Sequence, residues 1–220
     1  MQTFDTPAAI TAVLDVPAGL VRLVAADRAD TTVEVRPADP ARNRDARTAE
    51  RTAVSYADGV LTVRSAPADN PLLGAGGVEV TVHLPAGSRV EARTEACALH
   101  TTGRLGDLAF DGAHRRIEID EAASVRLTAV DGDVEIGRLT GPAEISTARG
   151  DIRIAEAHRG TLALSTQLGD ITVDTAPGAS AALDAATGHG RITNALRNDG
   201  TTTLDIRATT AQGDITARSL

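Results

Sequence analysis

Aromatic residues are almost absent from this chain: Phe4, Tyr56 and Phe110 are the only three, and there is no tryptophan. An interior without large rings has to be filled by Val, Ile, Leu and Ala, which suits a thin stack of sheets better than a deep core. Lysine is missing altogether, so all 22 basic residues are arginine, set against 30 acidic ones. The net charge of −8 and pI near 5.1 oppose non-specific binding to nucleic acid or anionic membranes. Without lysine, Gly74-Ala75-Gly76-Gly77 cannot be a phosphate loop of the usual kind. Cys97 stands alone, which rules out an intrachain disulfide and fits a reducing compartment. No apolar run approaches the ~18 residues of a membrane span. The opening Met1-Gln2-Thr3-Phe4-Asp5-Thr6-Pro7 lacks the basic and apolar regions of a secretion signal. The expected location is therefore cytoplasmic.

What is present is a globular composition, 42% apolar and 24% charged, organised as a repeat. Six copies align on glycine: Gly106-Asp107, Gly132-Asp133, Gly150-Asp151, Gly169-Asp170, Gly190-Arg191 and Gly213-Asp214, spaced by 26, 18, 19, 21 and 23 residues. The second and fourth residues after each glycine are apolar in most copies, as in Ile152/Ile154 and Ile171/Val173. Asn194 and Ala217 are the weak entries. That alternation is a strand with one buried face. A second strand precedes each glycine, as in Ala143/Ile145, Leu162/Leu164 and Ile206/Ala208. Threonine stands three residues before four of the glycines, at Thr147, Thr166, Thr187 and Thr210. Each unit thus reads as strand, glycine corner, strand, with a second corner near Gly141, Gly160, Gly178 or Gly200. Equivalent residues recurring at one phase predict stacked coils, an all-β short β-solenoid of the parallel β-helix kind; a β-sandwich or meander is the alternative. Ile117 and Ile119, in the long first interval, predict an extra strand.

Residues 1–85 read as a strand-rich N-terminal cap region and 86–220 as the solenoid, continuous with it. In the first part, Val21/Leu23/Ala25, Val33/Val35, Val54/Tyr56, Leu61/Val63 and Val78/Val80/Val82/Leu84 alternate as strands. Residues 37–53 read as a charged loop or helical turn, and 70–77 as a flexible loop. The Thr-x-x-Gly-Asp-Ile-x-Val rhythm at Thr166 to Val173, with Leu84-Pro85-Ala86-Gly87 leading into the repeat, resembles the bacterial putative-adhesin family of β-strand-repeat proteins. That resemblance, over roughly residues 10 to 220, implies stacked β-strand repeats and supplies no catalytic residues.

Candidate sites each meet a plainer reading. Stacked Asp133, Asp151 and Asp170 could attract a hard cation, but turn capping accounts for them, and Arg191 interrupts the series. Cys97 and His100 fall on opposite faces of a strand. His83, His114, His158 and His189 lie in separate segments without metal-ligand spacing. Arg42, Arg44, Arg47 and Arg51 are interleaved with Asp39, Asp45 and Glu50, a solvated loop before an anion site. Thr172, Thr193 and Thr216 form an outward ladder beside charged neighbours, which reflects strand propensity before ice binding. No catalytic, cofactor or metal residue is assigned. The expected function is a non-enzymatic adhesin-like scaffold or binding module for an unidentified protein or glycan, the alternative a polysaccharide-acting enzyme on a β-helix. The final coil, with Ile206, Ala208 and Ile215, is the expected edge for a homodimer; Arg207, Asp214 and Arg218 would otherwise keep that edge wet and the protein monomeric.

Overall fold

The structure is a computed structural model that describes residues 1–66, 74–112 and 116–220. The Gly74 to Gly77 half of the expected 70–77 loop falls within them; residues 70–73 and His114 lie outside the described residues. Strands dominate, and no helix is long and apolar enough to cross a membrane among the described residues. The chain divides into two compact units, Met1–Arg115 and Arg116–Leu220.

The first unit runs β1 (Gln2–Asp5), β2 (Thr11–Asp15), β3 (Ala18–Ala26), β4 (Asp30–Pro37), α1 (Asn43–Glu50), β5 (Ala53–Ala57), β6 (Val60–Arg64), β7 (Val78–Pro85), β8 (Arg89–Arg93), β9 (Ala96–Thr102) and β10 (Arg104–Asp111). Parallel stacking begins with β2, which pairs with β6 on one side and β8 on the other, while β3 lies between β7 and β9. The β2–β3 coil therefore sits inside this unit's stack although it comes first in sequence. Antiparallel strands finish the stack: β4 pairs with β7, β1 with β4, and β5 with β6. The alternating apolar residues predicted for these strands face inward, with Val21, Leu23, Leu61, Val63, Val80 and Val82 fully buried. The 37–53 segment, read as a charged loop or helical turn, holds the eight-residue helix α1. Gly106 lies within β10 and not at a corner, because the chain takes its positive φ at Gly103 instead.

The second unit runs β11 (Ile117–Asp131), β12 (Val134–Leu139), β13 (Ala143–Arg149), β14 (Ile152–Ala157), β15 (Gly160–Leu168), β16 (Ile171–Thr175), β17 (Ala181–His189), β18 (Ile192–Ala195), β19 (Leu204–Gln212) and β20 (Ile215–Ser219). The extra strand expected at Ile117 and Ile119 is the first half of β11. That half pairs with β12 and its second half with β13, so one long strand turns from sheet to sheet. From there the coils stack in parallel and in register, Ile136 on Ile154 on Val173 in one sheet and Ile145 on Leu164 in the other. Ile152, Ile154, Ile171 and Val173 line one inner face and Ile145, Leu162 and Leu164 the other, all at most 2% exposed. This is a short β-solenoid, as the repeat predicted.

The order of the last two coils departs from the sequence order. β19 pairs with both β15 and β17, and β20 with both β16 and β18. The final coil is thus an interior coil, and the expected edge at Ile206, Ala208 and Ile215 is buried to 1% exposure. The coil that ends the stack is β17–β18. Two physical reasons favour this order. The β19–β20 coil carries the fuller apolar set, so placing it inside buries more surface than placing Ile192 and Asn194 there would. Arg218 also grips the buried Asp174 across 44 residues of sequence, at 2.6 and 2.9 Å. In sequential stacking, Asp174 would face β18, where no cation waits. The connection at 176–180 must climb two coils, ~10 Å, which five residues span easily.

Candidate functional site

The recurrent polar residues of the repeat meet at the glycine corners of the second unit. There the backbone turns with φ of +147° at Gly132, +129° at Gly150, +154° at Gly169, +148° at Gly213 and +155° at Gly190. A Cβ on Gly169 would strike the Gly150 carbonyl oxygen, so close coil-to-coil approach and positive φ both demand glycine. The aspartate after each glycine reaches along the stack rather than around its own turn. Asp133 accepts from the Asp151 N–H at 2.9 Å, Asp151 from the Asp170 N–H at 2.8 Å, and Asp170 from the Asp214 N–H at 2.7 Å. Asp214 accepts from the Arg191 N–H at 2.8 Å. Arg191 stands on the last coil, where a carboxylate would find no further amide to accept from. The interruption in the series therefore marks the end of the stack.

The threonines three residues before glycine complete the corner in the opposite direction. Thr166 donates to the Gly150 carbonyl at 3.1 Å, Thr210 to that of Gly169 at 3.0 Å and Thr187 to that of Gly213 at 2.9 Å. Thr147 donates to Arg149 at 3.0 Å. The Gly169 and Gly213 corners thus send a carboxylate one way and a hydroxyl the other, and both satisfy backbone groups that the bend takes out of the sheet ladder. The cation reading has to compete with this: one oxygen of each carboxylate is already held by an amide. Among the described residues no group of three or more His, Cys, Asp or Glu side chains converges on a metal-sized space.

The remaining sequence candidates are scattered. Cys97 is buried on β9, its thiol donating to the Val16 carbonyl at 3.4 Å, while His100 on the same strand is exposed on the other face. His83 lies on β7 with its Nδ1 3.3 Å from the Thr32 hydroxyl. His158 lies 3.0 Å from Glu156, and His189 is exposed at the end of β17. Thr172, Thr216 and Thr193 do form one column, in that order.

The arginine-rich segment contributes a depression with mixed lining in the first unit. Arg42 pairs with Asp39 at 3.2 Å and precedes α1, with Arg44 in the helix's first turn. Asp45, the buried residue of the helix, accepts from the Gly77 N–H at 3.0 Å, and Thr48 accepts from Gly76 at 3.0 Å. These bonds hold α1 against β4 and β7, and beside it lies a cleft of about 430 Å³ lined by Ala18, Leu20, Ala96 and Ala98. Sequence reasoning missed it because α1 has no apolar stripe and its buried anchor is an aspartate bonded 32 residues away.

Elsewhere the outward residues form ordered columns. In the second unit Thr128, Ser146, Ser165 and Thr209 align on neighbouring strands, with the Ser165 hydroxyl donating to Ser146 at 3.1 Å. Next to them Arg126 pairs with Glu144 at 3.3 Å. On the other sheet Arg138 pairs with Glu156 at 3.0 Å, and Arg116 donates to Glu135 at 2.6 Å. These partners hold the Arg138 and Arg116 guanidinium groups above the usual arginine range, the side-chain hydrogen bond being the main cause.

Residues 13–218 match the family described as Toastrack DUF4097. The chain belongs to that family. Among solved structures, this Toastrack chain is similar to a putative adhesin from Bacteroides fragilis, at 13% identity, with 98% of this chain and 95% of that one covered and a TM-score of 0.54. A putative adhesin from Parabacteroides distasonis is 12% identical over 98% of this chain and 95% of its own, with a TM-score of 0.40. At such identity the Bacteroides fragilis likeness speaks for the fold. No curated protein matches the chain.

Proposed function

We propose that this Toastrack chain is a non-enzymatic, adhesin-like scaffold that binds a protein or glycan partner through its outward sheet faces. The observation that carries this reading is the division of labour within the repeat. The Gly-Asp and threonine groups that recur from coil to coil bond to the backbone of neighbouring coils, so the recurring chemistry is architectural. The outward columns vary without touching the core, and one of them presents a flat row of hydroxyls flanked by an Arg126–Glu144 pair. A surface of that kind binds through many weak polar contacts and not through a deep pocket. The adhesin names carried by structurally similar proteins agree with it.

The test is retention of the purified chain on arrays of neutral and acidic glycans and of surface-exposed matrix proteins. The expected result is saturable binding that weakens when Ser146 and Ser165 are both replaced by Arg, with far-UV dichroism unchanged. Release of new reducing ends from a bound polysaccharide would overturn it.

A further inference from the structure

The second unit's stack ends in two strands that are each paired on one side. We infer that the β17–β18 coil docks onto a second copy of this chain, extending both sheets by antiparallel strand pairing about a two-fold axis.

Each strand of that coil has a neighbour on one side only: β17 pairs with β19, and β18 with β20. Leu204 donates to the Ser180 carbonyl at 3.2 Å, so by strand alternation residues 182, 184 and 186 turn their backbone groups toward β19. Leu183, Ala185 and Thr187 then aim their N–H and C=O groups outward. The 196–203 connection covers only the start of the edge, where the Ala181 N–H reaches the Arg197 carbonyl at 3.0 Å. The core columns also end there. Ile171 and Ile215 are 0% and 1% exposed, while Ile192 in the same column is 44% exposed.

Edge strands in soluble proteins are defended by charge, proline, bulges or shortness. β17 is nine residues long, and its only ionisable residues are Asp184 and His189; β18 has none. In the first unit the corresponding edges, β7 and β6, are covered by antiparallel β4 and β5. Along its two strands the edge thus offers a single carboxylate, Asp184, in a chain of net charge −8.

The geometry selects a second copy as occupant. A partner has to offer two strand edges at once, one to each sheet of the coil, across an apolar seam. A single extended peptide would extend one sheet and leave Ile192 open. The end coil itself has the required form, and a two-fold axis through Ala185 makes it self-complementary. Antiparallel pairing then places Ala185 on its mate, Leu183 opposite Thr187, and Asp184 opposite Ala186, so that no like charges stand directly opposite and the two Asp184 side chains are diagonal neighbours. Because both copies use the same edge, the assembly closes as a dimer.

Sedimentation equilibrium of the full chain over a wide concentration series tests this. The expected result is a reversible monomer–dimer equilibrium. Ala185→Pro removes an outward N–H without breaking a bond to β19, so it should raise the dimer Kd by more than about tenfold. Its dichroism and urea midpoint should stay near those of the parent. Hydrogen exchange on the unmodified chain supplies a readout that needs no variant: the amides of Leu183, Ala185 and Thr187 should gain protection as concentration rises. A chain that stays monomeric throughout, a dimer with the same Kd after Ala185→Pro, or exchange at these amides that ignores concentration would each overturn the inference.

Discussion

One core column can report the order of the coils energetically. Ile152, Ile171, Ile215 and Ile192 stack in that order, although in sequence Ile192 precedes Ile215. Replacing Ile215 by alanine removes about three buried carbon groups at ~0.8 kcal/mol each, or roughly 2.4 kcal/mol of transfer. With strands on both sides the gap cannot collapse, and a cavity contribution of about 1 kcal/mol brings the loss to about 3–4 kcal/mol. Ile192, already 44% exposed, has no coil beyond it to enclose a cavity. Its alanine variant should lose only about 1 kcal/mol, leaving a gap of roughly 2 kcal/mol between the two substitutions. Urea denaturation followed by far-UV dichroism measures both, at a concentration low enough to keep the protein monomeric. Transitions should be fitted for each unit separately if they do not coincide. Equal losses, or a larger loss at Ile192, would refute the stacking order, because sequential stacking would bury Ile192 and expose Ile215.

Other expectations concern the corners and the ion pairs. Asp170→Ala should cost about 1 kcal/mol by leaving the Asp214 amide without its acceptor, whereas Asp170→Asn should recover most of it. Arg191→Asp, on the last coil, should change stability by less than about 0.5 kcal/mol in the same urea assay. Gly169→Ala should destabilise by more than about 2 kcal/mol through positive φ and collision with the preceding coil. Asp30 is held below the ordinary carboxylate range chiefly by hydrogen bonds from Arg28, at 3.0 and 2.8 Å. Its contribution is therefore present at neutral pH and lost as pH falls through the depressed folded value. Arg28→Gln should move the Asp30 titration upward in a carboxyl-detected NMR series and leave the neutral-pH fold intact.

Strand phase was legible in the sequence because a β-strand with one buried face writes its period into every second residue. Ile152/Ile154, Ile171/Val173 and Leu162/Leu164 could be assigned to the interior without knowing their neighbours. Five of the six corner glycines were legible for an equally local reason, since positive φ strongly favours glycine wherever the stack lies; Gly106 was the exception. Even the end of the stack had left a trace. The fifth copy, with Arg191 for aspartate and Asn194 for an apolar residue, is the degenerate one, and it proves to be the terminal coil. The absence of a catalytic constellation from the sequence could be read only as a pattern not found, and the positive content of the candidate surface came from columns that require the register.

The order of the coils was decided only in three dimensions. Parallel ladders offer the same backbone bonds to any coil, so local sequence cannot say which coil lies beside which. That choice rests on long-range terms: the Asp174–Arg218 pair across 44 residues, and the gain from enclosing Ile206, Ala208 and Ile215 in place of Ile192 and Asn194. The same holds for α1, whose placement depends on Asp45 finding the Gly77 amide and not on any apolar face. Periodicity determined what each residue does within its coil; the competition among coils for the interior determined where each coil goes, and with it which edge remains open.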